Sequence, residues 1–127
     1  MKRALIVGGA GGIGLSIATV LAERPDYEKV YIVDRSSLAE GSSDEKFEYH
    51  RFDLMSEDYS FFDRFNDIDL LMITAGFGRL ALFKDVDEAH IISSMNVNAT
   101  AVMRLVHRFY DRISGHKDFM CGVMVSI

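Results

Sequence analysis

Cysteine and proline occur once each in this chain of 127 residues and tryptophan not at all, which excludes several kinds of protein. The single cysteine, Cys121, cannot form an internal disulfide, so the fold must depend on a packed core rather than on cross-links. Its neighbours Met120, Gly122 and Val123 form an apolar setting that predicts a buried thiol. The four histidines share no metal-ligand spacing with one another or with Cys121, so no metal site is predicted.

Basic residues are too few for a nucleic-acid-binding surface. The chain has 14 Lys and Arg against 19 Asp and Glu, a net charge of −5, and the basic residues form no stripe. Phosphate contacts need clustered Lys and Arg, so non-specific nucleic-acid binding is excluded. No apolar run approaches the roughly 20 residues of a membrane-spanning helix, and the first predicted strand begins too close to Met1 for a secretion signal. We therefore expect a soluble, cytoplasmic protein with neither nucleic-acid nor membrane partners.

Short apolar runs alternate with helical patterns along the whole chain. The length and the 49% hydrophobic content predict one domain, residues 1–127, with its own core. Strands are predicted at residues 4–7, 30–33, 47–52, 69–74 and 123–127, and helices at 13–21, 56–65 and 85–113. Strands that alternate with helices form a parallel sheet with right-handed crossovers. The predicted fold class is therefore α/β, a doubly wound parallel sheet with helices on both faces.

The first predicted strand runs into a glycine-rich turn and then into a helix. Four glycines lie between positions 8 and 12, Gly14 follows, and apolar residues recur at positions 13, 17, 20 and 21. Glycine allows the sharp turn, and the missing side chains let a pyrophosphate approach the backbone amides at the helix N-terminus. A glycine turn without a ligand is the alternative. Three spacings stay open: Gly9-x-Gly11-x-x-Gly14, Gly8-x-x-Gly11-x-x-Gly14 and Gly8-x-x-x-Gly12-x-Gly14.

Asp34 ends the second predicted strand, twenty positions after Gly14. A dinucleotide fold places an acidic residue at about this distance, where its carboxylate binds the adenosine ribose. Such a carboxylate repels a 2′-phosphate and so favours NAD over NADP, although the neighbouring Arg35 could meet that phosphate. The alternative is that Asp34 merely ends a strand.

The longest helical pattern contains an asparagine on its apolar side. Asp85 and Glu88 have capping-box spacing at its start. The apolar stripe follows at Ile91, Met95, Val102, Leu105, Phe109 and Ile113. Asn98 belongs to this stripe by spacing, so its amide is expected to face the core and to need a hydrogen bond there. A core amide satisfied by the backbone is the alternative to a functional role.

With these motifs placed, the chain resembles the N-terminal half of a short-chain dehydrogenase/reductase, which has a Rossmann-like fold. Residues 7–14, VGGAGGIG, are similar to the family's Thr-Gly-x-x-x-Gly-Ile-Gly loop, which selects the Gly8, Gly12 and Gly14 spacing. Residues 53–54 resemble the acid–apolar pair that contacts adenine in the family. Thr74-Ala75-Gly76 resembles the end of Asn-Asn-Ala-Gly, with Ile73 and Thr74 in place of both asparagines. Residues 97–101 resemble the segment that carries the asparagine of the Asn-Ser-Tyr-Lys tetrad.

The resemblance implies hydride transfer between a nicotinamide and a carbonyl or alcohol carbon, with NAD as the cofactor and NADP less favoured. The implied cofactor-binding residues are Gly8, Gly11, Gly12, Ile13, Gly14, Asp34, Arg35, Asp53, Leu54, Ala75 and Gly76. Asn98 is the implied catalytic residue, which distorts its helix locally and holds a water of the proton relay. The resemblance also implies a homo-oligomer that assembles through the long helix.

The active site that the resemblance implies is incomplete in this sequence. The family's serine lies just beyond the fifth strand, and Ser126 comes two or three positions too early. None of the tyrosines is followed four positions later by lysine, so the Tyr-x-x-x-Lys pair is missing. We therefore expect a cofactor-binding part that is inactive alone. It would bind a small carbonyl or alcohol substrate only together with the second half of the family's fold. The alternatives are a non-catalytic dinucleotide-binding sensor or scaffold and an extended-branch epimerase.

Overall fold

The computed structural model describes residues 1–76 and 81–125, and its five strands form one parallel sheet. The strands are β1 (Lys2–Val7), β2 (Tyr27–Asp34), β3 (Phe47–Arg51), β4 (Leu70–Ile73) and β5 (Met120–Val123). The α-helices are α1 (Gly12–Glu23), α2 (Glu88–Met95), α3 (Ala101–Arg108) and α4 (Tyr110–Gly115). Two 3₁₀ helices span Ser60–Arg64 and Phe83–Asp85, and a π-helical turn spans Asn96–Thr100.

The strand order is β3-β2-β1-β4-β5, which confirms the predicted doubly wound α/β fold. Successive residues of β1 face opposite sides of the sheet and enter two separate cores. Ala4 and Ile6 pack with Ala18 of α1 on one side. Leu5 and Val7 belong to a larger cluster on the other side, formed with the 3₁₀ helix Ser60–Arg64 and α3. That cluster contains Tyr59, Phe62, Phe65, Leu105 and Phe109.

The buried face of α1 differs from the predicted apolar stripe. Ile13 is 60% exposed and Val20 is 59% exposed, whereas the buried residues are Gly14, Ala18 and Ala22. Small side chains bring the helix axis close to the sheet, so the glycine and alanines form the contact face instead of the larger residues.

The fifth strand lies earlier than predicted, at Met120–Val123 rather than at residues 123–127. Its position is set by parallel pairing with β4, which joins Leu70 to Met120 and Ile73 to Val123. Ser126 lies outside the described residues. Cys121 is exposed on this strand, so the expectation of a buried thiol is wrong, although partial desolvation of its sulfur raises the thiol pKa.

The long helical pattern is divided into shorter helices. Asp87, not Asp85, caps α2, because its side chain accepts a hydrogen bond from the backbone N–H of His90. The π-helical turn then shifts the helical register, since each i→i+5 turn holds an extra residue. Leu105 and Phe109 are therefore buried, while Ile91 and Met95, predicted on the same stripe, are exposed. A membrane-crossing helix is absent from residues 1–76 and 81–125.

Candidate functional site

A cleft of about 380 Å³ lies at the carboxyl ends of the parallel strands. This is the edge where open α/β sheets bind ligands, next to the point where the strand order reverses on either side of β1. Every predicted cofactor-binding residue lines it: Gly8, Gly11, Gly12, Ile13, Gly14, Asp34, Arg35, Asp53, Leu54, Ala75 and Gly76. The structure therefore brings together residues that lie up to 68 positions apart in the sequence.

Two glycines of the turn after β1 have backbone conformations that side chains rarely adopt. Gly8 has a φ of +91° and Gly12 a φ of +56°. Gly8 also lies directly against the residues that follow β4, where an added Cβ would be 2.5 Å from the backbone nitrogen of Ala75. These requirements fall at positions 8 and 12, which matches the Gly8-x-x-x-Gly12-x-Gly14 spacing among the three alternatives.

Gly14 and Gly11 have opposite surroundings within the same loop. A Cβ on Gly14 would collide with the carbonyl oxygen of Gly8 and come within 2.5 Å of Thr74 Oγ1. At Gly11 and Gly12 an added Cβ would meet no atom of the described residues within 4 Å. Gly14 therefore allows close packing of helix and strand, whereas Gly11 and Gly12 leave open space beside the cleft.

The N-terminus of α1 opens into the cleft without a side-chain cap. Gly11 is the N-cap residue, it makes no side-chain hydrogen bond, and the first turn contains no acidic residue. The first N–H groups of a helix lack partners within the helix, and its dipole is positive at this end. An uncapped helix start lined by glycines fits an anionic group such as a pyrophosphate.

Asp34 ends β2 beside this loop, and both carboxylate oxygens accept backbone hydrogen bonds. The Ala10 N–H donates to Oδ2 at 3.0 Å and the Ser36 N–H donates to Oδ1 at 3.0 Å. The half-buried carboxylate thus ties the end of β2 to the glycine loop and keeps lone pairs for further donors such as hydroxyls. Arg35 is exposed at the rim of the cleft.

Asp53 and Leu54 lie in the turn that follows β3. Asp53 Oδ1 accepts a hydrogen bond from the Met55 N–H at 2.9 Å, and its carbonyl accepts one from the Ser56 N–H at 3.0 Å. Leu54 and the neighbouring Phe52 are half-buried and pack against the larger core. Phe52 also lines the cleft and was not among the predicted cofactor-binding residues.

Thr74 is a second residue that lines the cleft and was not among the predicted cofactor-binding residues. Its hydroxyl lies 3.1 Å from the carbonyl oxygens of both Val7 and Gly8, to which it donates. The substitution of threonine for the family's asparagine therefore leaves a polar link between β4 and the glycine loop. The place of Thr74 directly after a buried strand could have indicated this role, because ligands bind at the carboxyl ends of parallel strands.

Asn98 lies in the middle of the π-helical turn. Its amide nitrogen donates to Ser94 Oγ at 3.1 Å, and a Cβ added to Gly76 would be 2.7 Å from its Oδ1. Asn98 is exposed, so the expectation that it faces the core is wrong. The amide instead lies beside the cleft, next to the residues after β4.

No group of three or more acidic, histidine or cysteine side chains in the described part of the chain is arranged to hold a metal ion. The site therefore consists of an uncapped helix, a carboxylate beside it and an apolar cleft. These features define an α/β nucleotide-binding fold.

Comparison with known proteins narrows this class. A family model described as short chain dehydrogenase matches residues 2–118. The chain belongs to the short-chain dehydrogenase family of oxidoreductases, which binds nicotinamide dinucleotides.

Individual relatives agree with this assignment. Acetoacetyl-CoA reductase of Allochromatium vinosum is 30% identical in an alignment 127 positions long that covers 87% of this chain and 50% of the relative. The bulky-bulky ketone specific alcohol dehydrogenase from Comamonas testosteroni matches 100% of this chain and 55% of its own, with a TM-score of 0.86 and 23% identity. An alcohol dehydrogenase from the archaeon Thermococcus sibiricus, complexed with 5-hydroxy-NADP, matches 91% of this chain and 54% of its own, with a TM-score of 0.73 and 27% identity. The chain spans about half the length of these relatives.

Proposed function

We propose that this chain is the NAD-binding part of a short-chain oxidoreductase. The observation that carries the proposal is that the uncapped start of α1 and the carboxylate of Asp34 line the same cleft. The first feature suits a pyrophosphate and the second suits the ribose beside it. Gly11 has neither a positive φ nor a close neighbour, so a glycine turn without a ligand would not need glycine at this position.

The lining residues divide into sites for successive parts of a dinucleotide. The amides at the start of α1 receive the pyrophosphate, and Asp34 accepts hydrogen bonds from the hydroxyls of the adenosine ribose. Asp53 and Leu54 receive the adenine at one end of the cleft. Ala75 and Gly76 follow β4, on the other side of β1 from β3, and receive the part of the cofactor toward the nicotinamide, with Asn98 beside Gly76.

NAD is the preferred cofactor in this proposal, and NADP is the weaker one. Both oxygens of Asp34 are already fixed by backbone donors, so the carboxylate cannot move away from a 2′-phosphate without losing two hydrogen bonds. A phosphate there would meet a negative charge at close range. Arg35 favours the opposite choice, and the Thermococcus sibiricus relative binds an NADP derivative. Arg35 is exposed, so solvent screens its charge more strongly than that of half-buried Asp34.

The chemistry proposed for the complete active site is hydride transfer between nicotinamide and a small carbonyl or alcohol substrate. Asn98 would take part as the residue that holds a water of the proton relay. No tyrosine in this sequence has a lysine four positions later, so we propose that these residues bind cofactor without turning over a substrate. The alternative is a dinucleotide-binding sensor or scaffold without catalysis.

The remaining parts of the proposal concern the molecule as a whole. We propose that residues 1–127 act as one binding domain in the cytoplasm. We also propose a homo-oligomer that assembles through the segment from α2 to α4, where Tyr110 and Met95 are both exposed. Light scattering after size exclusion measures the mass of the assembly, and a monomer at micromolar concentration would contradict this part.

Calorimetric titration with NADH and NADPH tests cofactor binding. We expect NADH to bind more tightly, and we expect Asp34→Ala to weaken NADH binding by about 10- to 100-fold, because charge-assisted hydrogen bonds are lost. The ratio of the NADPH dissociation constant to the NADH dissociation constant should fall toward one. Asp44→Ala is the matched control, since Asp44 also accepts a hydrogen bond from the N–H two residues later but lies outside the cleft. If neither NADH nor NADPH binds, the proposed function is wrong and only the fold assignment stands.

A further inference from the structure

The turn that carries Asp53 and Leu54 is held in place by two residues outside the cleft lining. Tyr59 is the first of them. Its hydroxyl donates to the carbonyl oxygen of Leu54 at 2.7 Å, and its side chain is almost fully buried, at 2% exposure. Burial also raises the pKa of the Tyr59 phenol, so the hydroxyl keeps its proton throughout the neutral range.

The ring of Tyr59 also supports the wall of the cleft. It packs edge-to-face against Phe52, with 5.3 Å between ring centroids and an interplanar angle of 84°. Phe52 in turn packs on Phe61 and Phe62 at 4.7 Å and 4.9 Å. Tyr59 thus fixes the turn twice, through the Leu54 carbonyl and through the ring of Phe52.

Arg104 of α3 holds Tyr59 and the turn at the same time. Its guanidinium carbon lies 3.5 Å from the centroid of the Tyr59 ring, a close cation–π contact. Its two terminal nitrogens donate to the carbonyl oxygens of Ser56 at 2.9 Å and Glu57 at 2.5 Å. A planar guanidinium can make these contacts together, which a lysine ammonium cannot.

Arg104 is the first of three arginines spaced one helical turn apart. Arg108 forms a two-point ion pair with Asp63, and Arg112 donates to the carbonyl oxygen of Ile68. The three side chains fasten the helical segment to successive parts of residues 56–68. Only Arg104 contacts the part of this segment that continues directly into the cleft.

We propose that Tyr59 and Arg104 are positioning residues for the adenine end of the cleft, a proposal that rests on the proposed cofactor site. They do not contact the cofactor. They hold Asp53 and Leu54 in the geometry that receives the adenine, so that its binding orders no further backbone. Removal of either contact should loosen the turn and weaken its selection for adenine.

A second tyrosine provides a matched control at the ribose end. The hydroxyl of Tyr49 donates to the carbonyl oxygen of Ser36 at 2.5 Å, in the turn that follows Asp34. Tyr49→Phe and Tyr59→Phe therefore remove the same chemical group from two different turns. The first should disturb recognition of the ribose, and the second should disturb recognition of the adenine.

The experiment uses the whole chain and three probes: NADH, NADPH and reduced nicotinamide hypoxanthine dinucleotide, which replaces the adenine amino group with a carbonyl. We expect Tyr59→Phe to lower the preference for NADH over the hypoxanthine analogue about five-fold, the value of one hydrogen bond, and to keep the preference for NADH over NADPH. Arg104→Lys keeps the charge and should have the same pattern. Tyr49→Phe should have the reverse pattern, and Arg108→Lys should change neither preference.

The outcomes separate this proposal from the cofactor proposal. If the unaltered chain binds none of the probes, the proposed function fails and the positioning role fails with it. If it binds NADH but Tyr59→Phe and Arg104→Lys keep the wild-type preferences, the positioning role alone is wrong. Equal changes in both preferences, shared by Arg108→Lys, would mean that the contacts serve only stability. Urea unfolding of each variant establishes that the folded chain is being titrated.

Discussion

β4 and β5 are neighbouring parallel strands that differ sharply in burial. Ile73 of β4 is 1% exposed, while its partner in the pairing register, Val123 of β5, is 39% exposed. Both strands consist mainly of apolar residues, so composition does not account for the difference. β4 has a strand on each side, whereas β5 pairs only with β4 among the described residues.

The helical segment repeats the same contrast. Leu105 and Phe109 pack into the core that covers β1 and β4, but Met95 of the preceding helix is 59% exposed. The π-helical turn between them changes the direction of the apolar face. An apolar pattern therefore identifies residues that are suited to a buried position. The topology determines which of these residues are buried within the described part of the chain.

The largest expected effect comes from truncating two side chains that are partners in the pairing of β4 with β5. Ile73→Ala should lower the free energy of unfolding by about 2–5 kcal/mol, because it removes buried contacts and leaves a cavity. Val123→Ala should change it by less than about 1 kcal/mol, because its side chain is already partly in solvent. Urea denaturation of both variants measures the difference. Equal losses at the two positions would show that β5 is covered in solution.

The parts of the site that could be predicted from sequence are those fixed by local spacing. The glycine loop follows a strand and begins a helix, and Asp34 ends the next strand, so local spacing indicates that Gly8, Gly12 and Asp34 lie near one another. They do line one cleft, and their role in binding a cofactor stays a prediction. Alternating strands and helices also predict a parallel sheet with right-handed crossovers, whereas the order β3-β2-β1-β4-β5 is known only from the structure. These inferences need no knowledge of distant contacts.

The predictions that Cys121 and Asn98 are buried were wrong for reasons that residue spacing does not record. The exposure of Cys121 depends on which elements lie beside β5 in space, and Asn98 lies in a π-helical turn that shifts the helical register. Thr74 is linked to Gly8 across 66 positions, and Arg104 to Ser56 across 48. No periodic pattern reports such pairs, because hydrophobic periodicity records only whether a face is apolar.

A second test applies the covered-versus-open contrast to the glycine loop. Gly14→Ala should destabilise the chain by about 1–3 kcal/mol, because its Cβ would strike the Gly8 carbonyl and Thr74 with no room to relax. Gly11→Ala should leave stability nearly unchanged, since its φ of −160° suits alanine and its Cβ points into open space. NADH binding should nevertheless weaken, because we propose that the pyrophosphate occupies the same space. Urea unfolding and calorimetry measure the two effects, and a stable Gly14→Ala variant would contradict the close contact.

The smallest expected effect concerns the ion pair between Arg108 and Asp63. It joins α3 to the 3₁₀ helix Ser60–Arg64 at the surface. The hydrogen bond from Arg108 lowers the pKa of Asp63 below its usual value of 3.8. A carboxyl whose pKa is lowered by folding contributes stability above its unfolded pKa, and that contribution is lost as the pH falls through the lowered folded pKa.

Arg108→Gln should therefore lower the Tm by roughly 1–4 °C at pH 7, a small change because both side chains are solvent-screened. The gap between the two proteins should begin to close as the pH approaches the usual carboxyl pKa and should vanish once Asp63 is protonated in the folded chain. Thermal unfolding of both proteins across this range measures the gap. If the gap were constant down to full protonation, the contribution of Arg108 would come from the packing of its aliphatic stem rather than from its charge.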